Sequence, residues 1–476
     1  MANDIKRNTV SGVFWSSVER FSVQIIQVII QIILARILSP ADFGIIGMLT
    51  IFIAIGQTFI DSGFSNALIR KRDRTQIDNS TMFVFNIIVG IICYILMFVG
   101  APYIANFYNT PELTPLTRVI SLVFLFNSMS IVQRALLTIK VDFKSQAKAT
   151  LTAVILSGCI GIYLANRGFG PWALAIQTAS NGLFNMILLW MIAKWRPSLV
   201  FSWKSFHEMF SFGSKLLASG ILDTIYKNVY TLVIGKAYTA SALGYYTKAN
   251  TLAQLPTFNI SRILNRVTYP LMCQISNDEK EFRKVFVIYL RMSAFIVFPI
   301  CIGLLVIAKP LILILLTEKW LPCVYLLQIL CLSLVLHPVQ LINLNILQVL
   351  GKSNVFLYLE IWKKILGIIV LVLTIPLGVE MMCWGLVLSS MLGTVLDMHY
   401  SGRYIDVGFF SQVKLLVPTI ISSLFMCAAL LLSNLFSSSW LSLFCSGIAC
   451  VLIYYCTSFF IQRDLIDLTM SILRKR

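Results

Sequence analysis

The sequence predicts an all-α, polytopic membrane protein of about fourteen transmembrane helices: two pseudo-symmetric six-helix lobes followed by two further C-terminal helices. Three observations predict it. The 476 residues are 58% hydrophobic and only 12% charged, where a soluble domain carries about 25% charged residues. Mean hydropathy is +0.84, and apolar runs long enough for the ~20-residue crossing of a ~30 Å hydrocarbon core recur from end to end. The basic residues gather in every second loop, as they do when those loops face the cytoplasm.

Apolar segments bounded by charge, Pro or Gly fall at 10–36, 42–63, 79–101, 114–139, 146–166 and 170–193. A second series falls at 212–236, 242–268, 284–308, 320–349, 354–375 and 381–402, and two more at 412–433 and 438–461. The eighth, GYYTKANTLAQLPTFNISRILNRVTYP, is the least apolar. With the N-terminus inside, the inner segments hold 28 of the 38 Lys and Arg, among them Arg70, Lys71, Arg72 and Arg74 and the pair Lys363 and Lys364. The outer segments hold six, and Arg20, Arg134, Lys227 and Lys248 lie within spans. Both termini are therefore expected in the cytoplasm. The same bias accounts for the net charge of +18 without nucleic acid. The opening MANDIKRNTV lacks a small-residue cleavage site and reads as a leader to the first span rather than a removable signal. The eleven cysteines contain no CxxC and fall mostly in apolar runs, so neither a disulfide framework nor a metal site is indicated.

The chain also repeats itself. LSPADFGIIG near residue 38 and YTASALGYYT 200 residues later both join the first two spans of a six-span block, and both place a glycine, Gly44 or Gly244, early in the next helix. Pro102 pairs with Pro310 at a shift of 208, as does Lys144-Ser145 with Lys352-Ser353. Both blocks start on the same side, so the repeats are parallel, an arrangement that transporters use to build a substrate path. The expected division is 1–200 for the N-terminal lobe, 201–405 for the C-terminal lobe, and 406–476 for two accessory helices and a tail.

The first span carries a row of polar groups. On a helix, Arg20, Gln24, Gln27 and Gln31 share one stripe with Glu19 at its edge. Such a stripe cannot face lipid, where unpaired polar groups cost several kcal/mol each. The seventh span repeats the pattern with Asp223 and Lys227 at i and i+4, where a helix can pair them. The eighth aligns Lys248, Thr251, Asn259, Arg262 and Arg266; the second carries Gln57 and Asp61; the fourth carries Asn127, Gln133 and Arg134. Pairing between helices accounts for such residues one at a time. Taken together, Arg20, Arg134, Lys227, Lys248 and Arg262 outnumber Glu19, Asp61 and Asp223, which points to a water-filled cavity for an anionic ligand. His337, beside Pro338, reads as a polar contact at a kink.

VSGVFWSSVERFSVQIIQVIIQIILARILSPADFGIIGM, the DSGFSNALIRKRD after the second span, and GYYTKANTLAQLP in the eighth resemble the polysaccharide transporter family. These are flippases for O-antigen, teichuronic acid and capsule repeat units, in the superfamily of the multidrug and toxic-compound exporters. The resemblance implies a MATE-like pair of six-helix lobes around a central cationic cavity, in the inner membrane of a bacterium. It implies a polyprenyl-pyrophosphate-linked oligosaccharide as substrate, moved by alternating access, with membrane lipids, a polysaccharide polymerase and glycosyltransferases of the same pathway as partners. No organic cofactor is implied. Glu19, Asp61 and Asp223 are candidates for coupling to an H⁺ or Na⁺ gradient, and the spacing does not choose between the ions.

Two other functions are weighed against this one. A multidrug exporter of the same fold favours acidic, aromatic-lined cavities, and the cationic surplus here argues against it. A membrane polysaccharide polymerase or ligase carries a large outer loop, whereas the longest outer loop here, around 101–117, is short and holds one Arg. No G-x-x-x-x-G-K-[ST] loop is present for ATP hydrolysis.

Overall fold

The computed structural model describes residues 21–61, 64–71, 73–198, 200–432 and 440–465, and among these the chain is helical with no strand. Two compact units emerge from the packing, Met1–Gly244 and Tyr245–Arg476.

The first unit contains α1 (Phe21–Ile37), α2 (Pro40–Asp61), α3 (Phe64–Arg70), α4 (Gln76–Tyr108), α5 (Leu113–Ile120), α6 (Leu122–Ile139), α7 (Phe143–Asn166), α8 (Pro171–Ala193) and α9 (Trp203–Ala237). The next helix, α10 (Ala240–Gln274), begins in the first unit and continues into the second. The second unit adds α11 (Glu279–Val306), α12 (Ala308–Leu315), α13 (Pro322–Leu334), α14 (His337–Val349), α15 (Ser353–Thr374), α16 (Val379–Ile405), α17 (Phe409–Leu432) and α18 (Trp440–Ile461).

Ten described segments are long and apolar enough to cross a membrane: α2, α4, α5 with α6, α7, α8, α11, α13 with α14, α16, α17 and α18. Helices α1, α9, α10 and α15 occupy the remaining expected positions and are either shorter as described or more polar. The set is compatible with the fourteen crossings.

The packing order inside the two units repeats. In the first, α4 packs on α5 and α6, α6 on α8, and α7 on α8; in the second, α11 packs on α13 and α14, both of these on α16, and α15 on α16. Phe124, Leu68, Met82 and Ile60 fill the first unit's core, which also takes in Met209 of α9. Phe282, Phe286, Leu290, Phe298 and Ile342 fill the second.

The start of α2 and the start of α10 are built alike. Ser39 Oγ accepts from Asp42 N at 3.2 Å and Asp42 Oδ2 accepts from Ser39 N at 2.8 Å, a reciprocal cap that satisfies otherwise orphaned amides. Two hundred residues later, Thr239 Oγ1 accepts from Ala242 N at 3.2 Å. Where these two ends cross, side chains are excluded. A Cβ on Gly44 would lie 1.7 Å from the Ala240 carbonyl oxygen, and one on Gly244 would lie 1.9 Å from that of Pro40. Each repeat's glycine admits the other repeat's backbone.

Prolines inside helices free the carbonyl four residues back, and here distant donors take two of them. Pro102 frees Phe98, whose oxygen accepts from Arg118 Nε at 3.5 Å, the guanidinium lying 4.4 Å from the Phe98 ring. Pro299 frees Phe295, whose oxygen accepts from the Tyr454 hydroxyl of α18 at 2.9 Å. Pro338, at the start of α14, coincides with the break between α13 and α14.

The basic loop after α2 is pinned. Thr75 and Asp78 form a capping box at α4, and Lys71 Nζ reaches Asp78 at 2.8 Å and Glu208 of α9 at 3.1 Å. The hydrogen bond to Asp78 holds the Lys71 ammonium above its ordinary pKa. At the far end of the chain, Arg291 grips Asp464 through two bonds of 2.6 and 3.1 Å, which holds the Asp464 carboxyl below the usual carboxylate range.

Candidate functional site: polar faces of the membrane helices

Helix α1 presents three faces. Ile30 and Leu34 are buried against Val154, Ala173 and Leu174 of α7 and α8. Ile25 and Ile29 are 58% and 50% exposed on another face, suited to lipid. The glutamine stripe is the third: Gln27 is exposed, and Gln24 and Gln31 are partly so. Glu19 and Arg20 lie outside the described residues. In a variant freed of its exposed native thiols (Cys159, Cys273, Cys445, Cys456), cysteine at position 27 should react with a hydrophilic thiol reagent roughly tenfold faster than cysteine at 25 or 29, because only water ionises the thiol. Equal rates at the three positions would mean that the stripe does not meet water.

The other polar groups of the first unit form two centres. Asn127 Nδ2 donates to Gln57 Oε1 at 2.7 Å, and Gln57 Nε2 donates to Asp61 Oδ2 at 3.0 Å. Arg134, two turns beyond Asn127 on α6, is exposed. On α9, Lys227 Nζ and Asp223 Oδ2 stand 2.6 Å apart as the i, i+4 pair that their spacing predicts, with side chains 70% and 47% exposed. Thr58 and Thr224 join α2 to α9 by hydroxyls 2.9 Å apart.

In the second unit, Lys248 is enclosed: it is 8% exposed and its ammonium lies 5.7 Å from the Trp320 ring centroid. Asn259 donates to the Leu255 carbonyl at 2.7 Å within its own helix. Arg262 and Arg266 are exposed. His337 packs edge-on against Phe258, 4.7 Å between ring centroids, with Nδ1 3.4 Å from Ser261 Oγ, as a contact at the α13–α14 break.

One centre escapes sequence reasoning. Lys363, counted above among the loop cations, lies about 15 Å along α15 from its start, at 1.5 Å per residue. Its ammonium sits 2.6 Å from Glu360 Oε1 and 3.1 Å from Asp397 Oδ2, and Asp397 is fully buried. Among the described residues, Asp397 Oδ1 has no hydrogen-bond partner. Gln340 donates to Ser390 O at 2.7 Å and Thr394 Oγ1 at 3.0 Å one turn away. The i, i+3 spacing of Glu360 and Lys363 was the available signal; Asp397, 34 residues on, was not linked to them.

Residues 33–325 match the model of the family described as polysaccharide biosynthesis protein. The chain belongs to that family. It is 29% identical over 359 residues to the teichuronic acid biosynthesis protein TuaB of Bacillus subtilis (strain 168), covering 74% of each chain. Its fold is shared with the lipid II flippase MurJ in its inward closed conformation, with TM-score 0.77, 16% identity, and 95% of this chain and 99% of that one covered. It is also shared with a multidrug resistance MATE family transporter of the MOP superfamily in its inward-facing conformation, with TM-score 0.61, 14% identity, and 80% and 95% covered. The all-α, MATE-like class expected from the sequence is the class observed.

Proposed function

We propose that this protein is a flippase that carries a polyprenyl-pyrophosphate-linked oligosaccharide, a polysaccharide repeat unit, across the bacterial cytoplasmic membrane by alternating access along a cationic path. It is a transporter and not an enzyme. The observation that carries this reading is the exposure of charged side chains on membrane helices: Arg134 and Lys227, with Asp223 half-exposed, in the first unit, and Arg262 and Arg266 in the second. Hydrocarbon excludes such groups, so they meet water or a polar ligand. Guanidinium and ammonium groups bind phosphate oxygens by charge-assisted bonds, and a glycan pyrophosphate cannot cross ~30 Å of hydrocarbon without them. The cationic surplus disfavours a cationic drug as cargo.

Both termini are assigned to the cytoplasm, where the basic loops lie, and the pathway's glycosyltransferases and polymerase are the proposed partners. Coupling to an H⁺ or Na⁺ gradient is assigned to Asp61 and Asp223, with Glu19 as the third candidate.

The test is export. Arg134→Gln with Lys227→Gln should lower surface polysaccharide at least about tenfold, the loss of roughly one charge-assisted bond, with linked precursor building up at the inner face and protein level unchanged. Exchanging Asp223 and Lys227 (Asp223→Lys with Lys227→Asp) keeps an ion pair but moves the cation about 6 Å along the helix. Export should fall again if Lys227 meets the substrate. Full export from both variants would remove these residues from the path.

A further inference from the structure

Within the second unit a cleft of about 490 Å³ opens between α11 and α17, lined by Arg283, Val287, Arg291, Val407, Lys414, Leu415 and Pro418 with Ser411. It lies at the start of α11, the end that the basic loops mark as cytoplasmic. Its rim and its floor differ in kind. Arg283, Arg291 and Lys414 are at the rim, while Val287, Val407, Leu415 and Pro418 are apolar.

The rim keeps positive charge. Arg291 is neutralised by its two-bond grip on Asp464. Arg283 reaches Asp406 at 3.2 Å, but that carboxylate's side chain is 96% exposed, so water screens the pair. Lys414 is exposed and has no partner among the described residues. A free anion would satisfy the cations and leave the floor wet. Beyond Pro418 the same face of α17 continues with Ile421 and Phe425, 38% and 59% exposed. An occupant that is anionic at one end and a hydrocarbon chain at the other matches all of this.

We propose that the cleft is a binding site for an anionic phospholipid of the surrounding membrane, its phosphate held by Arg283 and Lys414 and an acyl chain laid along Ile421 and Phe425. Juxtamembrane cations attract anionic lipid headgroups in this way. The site concerns a resident lipid rather than the cargo, so it stands whether or not the export reading does.

Native mass spectrometry and thermal unfolding of the purified full chain in detergent test it, with phosphatidylglycerol, phosphatidylcholine and inorganic phosphate as probes. Phosphatidylglycerol should stay bound and raise Tm; phosphatidylcholine and inorganic phosphate should do neither. Arg283→Gln and Lys414→Gln, both at exposed positions, should each weaken phosphatidylglycerol about fivefold. Leu415→Trp, which fills the cleft and leaves every charge, should weaken it too. Equal binding of the zwitterionic lipid, full effect from inorganic phosphate alone, or undiminished phosphatidylglycerol binding in all three variants would each overturn the proposal.

Discussion

Alanine at Gly44 or Gly244 is expected to lower the protein's stability by about 3 kcal/mol or more. A single methyl group would sit 1.7 or 1.9 Å from a backbone carbonyl oxygen of the opposing helix end. Backbone cannot rotate aside as a side chain can, so the two ends must part by more than 1 Å. Overpacking a flexible core costs about 1–3 kcal/mol; this contact is stiffer, and each change should reach the top of that range or exceed it. The two act on one crossing, so their combined cost should be less than additive. Gly100 is the control. A Cβ there meets nothing within 4 Å, and Gly100→Ala within α4 should be neutral or slightly stabilising. Size-exclusion profiles and Tm of the three variants decide the matter. Wild-type values for Gly44→Ala and Gly244→Ala would show that the helices do not approach in this way.

The second large effect is expected at Lys363. Its ammonium is the counter-charge of Asp397, which has no exposed surface. Lys363→Met should lower stability by about 3–5 kcal/mol, because removing one partner of a buried pair strands the other charge. Asp397→Asn should cost less, since Glu360 still holds the ammonium at 2.6 Å. The double variant Lys363→Met with Asp397→Leu should recover most of the loss, since an apolar pair of similar volume needs no desolvation of charge. Chemical unfolding of all three variants measures it. A single variant, Lys363→Met, as stable as the parent would mean that Asp397 is neutral in the folded protein.

The crossings were legible because bilayer thickness imposes a length that few other constraints mimic, and the basic loops supply an independent count. The Asp223–Lys227 pair was legible for a similar reason: helical geometry alone brings i and i+4 together. Contacts between helices left no such mark. Trp320 lies 72 positions from the Lys248 that it covers, and nothing in either segment announces the other. Asp397 was invisible as Lys363's partner for the same reason, and Lys363 therefore passed for a loop residue. Gly44 and Gly244 could be recognised as equivalent, but that they touch follows only from the fold. Ser121, where the fourth crossing breaks into α5 and α6, has no proline beside it, whereas the corresponding break in the tenth is marked by Pro338.

The bond from Tyr454 to the Phe295 carbonyl also has a clock in it. The two residues are 159 positions apart, so a ribosome working at about 5–20 residues per second finishes α11 some 8–30 s before it delivers the tyrosine. Throughout that interval the peptide oxygen freed by Pro299 waits in an apolar setting without its final donor. Helix α18, 159 positions on, is the one that closes the defect. A chain cut short before Tyr454 would therefore keep the Phe295 carbonyl without this donor, and burying an unpaired polar group in hydrocarbon is costly.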